Sequence, residues 1–238
     1  MGSKLFKSTE TDLIKCVMFD FGNVLGIFDT PRWFDFIYRY RGNCLEPHEL
    51  FSGSLLGITK DFDLGGLSPM DYYAKVRSAY RISTPTPKDF FNMLGSILSV
   101  DREMLEMVKT LRARGVVTVL VTNMNSFHAG YILQHYPEVM VSFDRKMISY
   151  EEGVIKPSPE FWIRPLDSLG FNASESIVVD DVLENIRVVC ELGMKGWHYN
   201  VSDEKFCQNG RLEEERLKFK NFLEYLDSIG LLYDKTRT

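Results

Sequence analysis

The chain has 238 residues, 45% of them hydrophobic and 26% charged, and its formal net charge is −5 at pH 7. This length and composition are typical of one sizeable globular domain, or of a core with a smaller insertion. The negative charge excludes a broad cationic surface, so we expect neither nucleic acid nor a membrane as a partner.

Several features bear on the cellular compartment. The 4 cysteines are scattered and form no C-x-x-C pair, which favours a reducing compartment over a disulfide framework or a zinc site. The first stretch, MGSKLFKSTETDLIK, lacks the apolar region of a signal peptide, and no apolar run has the length of a membrane span. We therefore expect a soluble, cytoplasmic protein, either a monomer or a homodimer.

Short apolar runs predict buried strands, and helical patterns lie between most of them. This alternation is typical of a parallel sheet covered by helices on both faces, so the predicted fold class is α/β with a Rossmann-like sheet. The predicted strands are residues 16–19, 116–121, 140–143, 177–179 and 196–199.

The segment 28–101 has a different character, with aromatic-rich helical patterns and no convincing buried strand. Ser68 before Pro69, and Thr86 before Pro87, are typical helix starts. We predict a helical insertion here, between two parts of one core, residues 1–27 and 102–238.

Two amphipathic helices are predicted in the core. One begins at an N-cap, Asp101, and ends before Gly115, with Leu105, Val108 and Leu111 on its buried face. The other lies in the tail EEERLKFKNFLEYLDSIGLL, and the residues expected to dock on the core are Leu217, Phe222, Leu226 and Ile229.

Polar residues directly follow three of the predicted strands. Ligands of open parallel sheets bind beyond the carboxyl ends of the strands, so these residues should converge on one crevice. They are Asp20, Thr122, Asn123, Asp180 and Asp181, and a further candidate, Lys156, lies in the loop EEGVIKPSP. Each also has an ordinary structural explanation, since aspartates cap helices and form turns and single lysines are usually solvated.

Together these residues suit phosphoryl transfer. Asp20 could attack phosphorus and form an aspartyl phosphate, and Asp20 with Asp181 could hold Mg²⁺, which prefers oxygen ligands. Lys156 and Thr122 could hold the phosphoryl oxygens while negative charge shifts.

The ordered motifs resemble those of the haloacid dehalogenase superfamily across nearly the full chain. VMFDFGNVL matches its first motif, with Asp20 as the nucleophile, and VLVTN matches its second through Thr122. GVIKP matches the third through Lys156, and IVVDDVLEN matches the fourth, with Asp181 as the metal ligand and Asn185 in a supporting position. Further details resemble most the branch that contains bacterial glucose 1-phosphate phosphatases and the N-terminal phosphatase domain of soluble epoxide hydrolases.

The resemblance implies a Mg²⁺-dependent phosphatase acting on a small phosphomonoester, with the inserted helices as a cap over the active site. It implies that Asp20, the Gly22 carbonyl and Asp181 hold the ion, with Asp180 in support. It also implies that Thr122, Asn123 and Lys156 bind the substrate's phosphate.

The chain departs from the family pattern at Gly22, where most family phosphatases carry an acid that protonates the leaving oxygen. Three hypotheses follow: a working phosphatase, a dehalogenase, and a catalytically impaired protein that binds a phosphorylated ligand. A sugar 1-phosphate would need less protonation, and His128 could assist as a proton donor. Dehalogenases generally lack the acid pair that Asp180 and Asp181 form here, which argues against the second hypothesis.

Substrate contacts in the insertion have two interpretations. Its aromatic residues could stack on a substrate or form the insertion's own core, and two loop acids could bind hydroxyl groups or face solvent. The aromatic residues are Trp33, Phe34, Phe36, Tyr38, Tyr72 and Tyr73, and the acids are Asp61 and Asp63.

Overall fold

The computed structural model describes residues 12–40, 54–82, 85–199 and 209–235. Its strands are β1 (Cys16–Phe19), β2 (Gly26–Phe28), β3 (Leu98–Val100), β4 (Val117–Thr122), β5 (Arg145–Ile148), β6 (Ser176–Asp180) and β7 (Lys195–His198). Five of them form one parallel sheet in the order β5-β4-β1-β6-β7. The predicted α/β class with a parallel sheet is confirmed.

Helices surround the sheet and fill the insertion. In chain order they are α1 (Thr30–Tyr40), α2 (Ser54–Asp63), α3 (Pro69–Ala79), α4 (Pro87–Ser96), α5 (Arg102–Ala113), α6 (Ser126–His135), α7 (Pro137–Val141), α8 (Ser149–Glu152), α9 (Pro159–Leu169), α10 (Leu183–Glu191) and α11 (Asn209–Ser228). Among the described residues, no helix combines the length and the apolar character needed to cross a bilayer.

Alternation along the central strand divides the core into two layers. Val17 and Phe19 of β1 pack with residues of α5, α6 and α11 on one face of the sheet. Cys16 and Met18, which point the other way, pack with residues of α9 and α10. Both faces are therefore covered, as the apolar runs predict.

The third predicted strand, 140–143, is wrong. Half of it belongs to α7, which Pro137 begins, and the strand is β5, a few residues later. Arg145 and Lys146 of β5 are exposed, whereas Met147 and Ile148 are buried. An edge strand that pairs on one side only tolerates such charges, so its hydrophobic signal is weak in the sequence.

The two short strands β2 and β3 were not predicted. They pair antiparallel, with Gly26 opposite Val100, where the chain enters and leaves the insertion. With three residues each, they are too short to show an alternating pattern.

The four helices α1 to α4 lie between these strands and share a hydrophobic cluster of their own. The buried aromatic residues of the cluster include Trp33, Phe36, Tyr72 and Tyr73, which favours the interpretation as a structural core. Tyr38 is 56% exposed, and the side chain of Phe34 lies outside the described residues. Ser68 and Thr86 cap α3 and α4 as predicted.

The core helices confirm one prediction and correct another. Asp101 caps α5 through two backbone amides, and Gly115 follows its end with a φ of +93°. Leu217 of α11 and Ile229, which follows the helix, are however exposed, and the buried face of α11 consists of Phe219, Phe222, Leu223 and Leu226. Arg216 of α11 forms an ion pair of 2.6 Å with Asp101, the N-cap of α5.

Candidate active site

Three carboxylates meet where the central strands end. Asp20 follows β1, and Asp180 and Asp181 lie at the end of β6, the strand that pairs with β1. All three residues are buried, and one oxygen of each lies within 4.8 Å of the others. The three carboxylates therefore lie close together, as the order of the motifs along the chain predicts.

Lys156 reaches into this cluster from the loop after α8. Its Nζ lies 2.7 Å from Asp20 Oδ1 and 2.7 Å from Asp180 Oδ2. The residue is 6% exposed, so this lysine is not a solvated surface cation. It acts as a bridge between the two strand ends.

Asn123, which follows β4, holds the lysine's backbone. Its Oδ1 accepts a hydrogen bond from the Lys156 amide at 2.8 Å, and its Nδ2 donates to the Lys156 carbonyl at 3.2 Å. The predicted role of Asn123 was phosphate binding, whereas both bonds here position a loop. Thr122, the last residue of β4, is 2% exposed and lies at the carboxyl ends of the strands, as the carboxylates do.

Asp180 is held on both oxygens. Oδ2 accepts from Lys156, and Oδ1 accepts from the Val182 amide at 2.8 Å and from Asn185 Nδ2 at 2.9 Å. These three hydrogen bonds use most of the lone-pair positions with which the Asp180 carboxylate could bind another donor or a metal ion. Asp180 therefore supports Lys156 and the start of α10, which matches a supporting role better than that of a metal ligand.

The site carries an excess of negative charge. Three carboxylates and one ammonium leave a formal charge of −2. Burial raises the pKa of Asp20 to about 7, and Lys156 opposes this shift while Asp180 and Asp181 reinforce it. Burial also raises the pKa of Asp181, against the effect of a hydrogen bond from Asn23.

The pKa of Lys156 is raised as well, but by a different cause. Burial alone would lower the pKa of Lys156, but the carboxylates of Asp180 and Asp20 outweigh it and raise the pKa above its usual value. A buried cluster of hard oxygen donors with a charge of −2 suits a divalent cation such as Mg²⁺. The donor set therefore fits the ion that the family resemblance implies.

Gly22 leaves space beside the first carboxylate. A Cβ at this position would lie 4.0 Å from Asp20 Oδ2 and 3.9 Å from Phe28 Cε2, which are ordinary contacts. Gly26 differs, because a Cβ there would lie 2.1 Å from the Phe21 ring. The turn thus requires glycine at position 26, whereas a larger residue would fit at position 22.

Sequence reasoning missed two residues that contact Asp181. Asn23 donates from Nδ2 to Asp181 Oδ2 at 2.9 Å, and His198 Nε2 lies 3.0 Å from the Asp181 carbonyl. The sequence signal that could have found Asn23 is an asparagine in a tight turn, because asparagine adopts positive φ more readily than most residues. Nothing in the local pattern indicated His198.

His128 lies at the junction between the insertion and the sheet. Its Nδ1 accepts from Asn125 Nδ2 at 3.2 Å, and its Nε2 donates to the Leu94 carbonyl at 3.4 Å. The amide nitrogen of Asn125 can only donate, and the Leu94 carbonyl can only accept. These partners therefore assign a neutral imidazole with its proton on Nε2. Burial lowers the pKa of His128 to about 4, and the bond to Leu94 opposes this shift only in part.

Asp61 and Asp63, which were expected in a loop, lie instead in the last turn of α2 and have different surroundings. Asp61 is exposed, whereas Asp63 Oδ1 accepts from Asn125 Nδ2 at 3.1 Å. Burial raises the pKa of Asp63 to about 6, against the effect of the Asn125 bond. The Asp63 carbonyl also accepts from Ser149 Oγ at 2.6 Å, so the end of α2 is bonded directly to the core.

We expect His128 to make stability depend on pH. Its folded pKa lies below the usual value of 6.5, so the unfolded chain binds the proton more tightly. The stability that the neutral His128 ring contributes is complete above pH 6.5 and is lost as the pH falls toward 4. By about pH 5, the free energy of unfolding should have fallen by about 2 kcal/mol.

The measurement is the free energy of unfolding of wild type and His128→Gln, by urea denaturation between about pH 7.5 and about pH 5. Asp63 acts in the opposite direction, because its raised pKa favours the folded state at low pH, so only the difference between the two proteins isolates His128. A difference that does not change with pH contradicts the prediction.

Comparisons with known proteins agree with this geometry. The family model of the haloacid dehalogenase-like hydrolases matches residues 14–188. A sesquiterpene phosphatase of Aspergillus oryzae, astK, is 30% identical over 145 residues, which are 60% of this chain and 72% of that protein. The bifunctional epoxide hydrolase 2 of Rattus norvegicus is 28% identical over 109 residues, 44% of this chain but only 20% of that protein's length.

Solved structures show the same fold. A haloacid dehalogenase family enzyme of Bacteroides thetaiotaomicron, in complex with magnesium and inorganic phosphate, has a TM-score of 0.70 at 24% identity and covers 80% of this chain and 96% of that one. The L-2-haloacid dehalogenase of Xanthobacter autotrophicus has a TM-score of 0.52 at 16% identity, covering 77% and 76% of the two chains. With the family model covering most of the chain and the motif residues assembled at one sheet edge, the protein belongs to the haloacid dehalogenase-like hydrolases.

Proposed function

We propose that the protein is a Mg²⁺-dependent phosphatase that hydrolyses a small phosphomonoester through an aspartyl phosphate on Asp20. The observation that carries this proposal is the bridge from Lys156 to Asp20 and Asp180, with Asp181 completing a buried cluster within 4.8 Å. The similarity to a sesquiterpene phosphatase supports the same activity.

In the proposed reaction, Asp20 is the nucleophile. Oδ1 accepts from the Phe21 amide at 2.6 Å and from Lys156, while the hydrogen bonds of the described residues leave Oδ2 for the attack. Oδ2 bonds to phosphorus as the ester oxygen leaves, and water then attacks phosphorus to release phosphate and restore the carboxylate. Fixed hydrogen bonds on Oδ1 orient the carboxylate for this step.

Asp20, Asp181 and the Gly22 carbonyl would hold Mg²⁺, which would supply charge stabilisation between anionic nucleophile and anionic ester. Lys156 and Thr122 would hold the transferred phosphoryl group as negative charge moves to the leaving oxygen. Asn123 would keep Lys156 in place through its two backbone bonds.

The inserted residues 28–101 would act as a cap that covers the carboxyl ends of the strands, where the carboxylates lie, and excludes water. The insertion contacts the core at the start of α6, where Asp63 accepts from Asn125 and the Leu94 carbonyl accepts from His128. A small phosphorylated metabolite, with a sugar phosphate as the first candidate, is the substrate that we propose.

A second candidate function rests on Gly22. Without an acid at that position, the protein could bind a phosphorylated ligand and turn it over very slowly, if at all. The dehalogenase alternative is weaker, because it gives no purpose to Asp181, the buried acid that completes the cluster with Asp20 and Asp180.

A panel of phosphomonoesters with Mg²⁺ separates these functions. The panel should include sugar 1-phosphates, sugar 6-phosphates, aryl phosphates and prenyl phosphates, with phosphate release as the signal. Release above the rate of Asp20→Asn supports the phosphatase. No release from any ester, together with phosphate binding, supports the ligand-binding protein, and chelator-resistant halide release from haloacids supports the dehalogenase.

Mg²⁺ should also stabilise the fold. An ion that binds only the folded state adds about 2.7 kcal/mol at about 100 times its dissociation constant. We expect Mg²⁺ to raise the melting temperature of the wild type, and Asp181→Asn to abolish most of that rise. Asp167→Asn, which changes an exposed acid on α9, is the matched control. An equal rise in Asp181→Asn and wild type contradicts the proposed metal site.

A further inference from the structure

We propose that Asn23 is a positioning residue that orients Asp181 for Mg²⁺ and gives the site its preference for Mg²⁺ over Ca²⁺. This inference rests on the proposed function only in that Asp181 binds the ion. It assigns a role to a side chain in the turn after β1.

The backbone of the turn holds Asn23 in one place. Its φ is +54°, a left-handed value that asparagine accepts and most residues avoid. Its amide donates to the Gly26 carbonyl at 2.7 Å, and the Leu25 amide donates to the Phe21 carbonyl at 2.9 Å. A fixed backbone gives the short side chain few ways to point.

The side chain joins two strand ends that the metal must also join. Asn23 Nδ2 donates to Asp181 Oδ2 at 2.9 Å, from the turn after β1 to the acid after β6. The amide orientation is defined, because a carboxylate oxygen accepts and only the nitrogen of the amide donates. With Oδ2 held, the orientation of Oδ1 is set as well.

The donor is neutral, which distinguishes Asp181 from the other two acids. Lys156 lies within 2.7 Å of both Asp20 and Asp180, whereas no ion pair of Asp181 occurs within the described ranges. A neutral amide fixes the geometry of a carboxylate without cancelling its charge. Among the described residues, Asp181 therefore has no ion-pair partner that would compete with a metal ion for its carboxylate.

The orientation should matter more for Mg²⁺ than for Ca²⁺. Mg²⁺ requires near-octahedral geometry with short bonds of about 2.0–2.1 Å, whereas Ca²⁺ accepts irregular geometry at about 2.3–2.6 Å. A carboxylate that is free to rotate loses part of the Mg²⁺ geometry but still suits Ca²⁺. Residues that orient a metal ligand typically change metal affinity by about 10–100-fold when they are replaced.

The test compares Asn23→Gly with Arg81→Gly by calorimetric titration of Mg²⁺ and Ca²⁺. Glycine adopts positive φ freely, so Asn23→Gly keeps the turn and removes only the amide. Arg81 is the matched control, because it is exposed and has a φ of +51° at the end of α3, away from the site. Melting temperatures without metal show whether both variants are equally folded.

We expect Asn23→Gly to weaken Mg²⁺ binding about 10–100-fold and to weaken Ca²⁺ binding less, while Arg81→Gly changes neither. Unchanged Mg²⁺ binding in Asn23→Gly, or an equal loss for both ions, overturns the role of Asn23 and leaves the proposed function standing. A wild type that binds no Mg²⁺ overturns the proposed metal site itself, and the inference with it.

Discussion

Replacing Asp20 with Asn should reduce phosphate release by at least about 10⁴-fold, because the neutral amide is a poor nucleophile in place of the attacking carboxylate. The shape of the side chain is nearly unchanged, and Lys156 keeps its contact with Asp180. We therefore expect a folded protein without turnover. The measurement is the single-turnover rate with the best ester of the panel at saturating Mg²⁺.

Chemical trapping makes this prediction sharper. An acyl phosphate reacts with hydroxylamine to give a hydroxamate, so quenched wild type should carry the modification on Asp20. Asp20→Asn should carry none, and Asp167→Asn, an exposed change, should behave as wild type. Measurable turnover in Asp20→Asn, or a hydroxamate on another residue, would show that Asp20 is not the nucleophile.

Replacing Gly22 with Asp should accelerate hydrolysis by about 10²–10⁴-fold for esters with poor leaving groups. A Cβ at position 22 fits 4.0 Å from Asp20 Oδ2, so the new carboxyl group would stand beside the reacting carboxylate. There it could protonate the leaving oxygen and then activate water. Aryl phosphates, whose leaving groups need little protonation, should gain much less.

Gly22→Asn is the matched control, because it has nearly the same shape and no proton to transfer at neutral pH. Rates should be compared at saturating Mg²⁺, since a fourth acid increases repulsion around Asp20. Equal rates for the two variants would mean that another group already transfers the proton. His128 is a poor candidate for that group, because it is neutral and bonded to Leu94 and Asn125.

The motifs could be placed from the sequence because each is local. An apolar run followed by a polar residue defines a strand and its end, as for β1 with Asp20 and β6 with Asp180 and Asp181. Since the carboxyl ends of neighbouring parallel strands meet, chain order alone was enough to expect one cluster. Helix caps such as Asp101 depend on a few adjacent residues and were equally readable.

Contacts between distant residues were decided by the tertiary structure. The bonds from Asn123 to Lys156 and from Asn23 to Asp181 depend on loop paths that no local pattern describes. The neutral state of His128 depends on burial under the insertion.

The rotation of α11 was also decided by packing, because Phe219, Phe222, Leu223 and Leu226 are buried in the core cluster whereas Leu217 is exposed. The edge strand β5 escaped prediction for a related reason, since its exposed Arg145 and Lys146 carry little hydrophobic signal. The sequence by itself therefore determined which chemical groups end the central strands, through local patterns. Only the tertiary structure decided how those groups are oriented and charged, because orientation and burial arise from contacts between segments far apart in the chain.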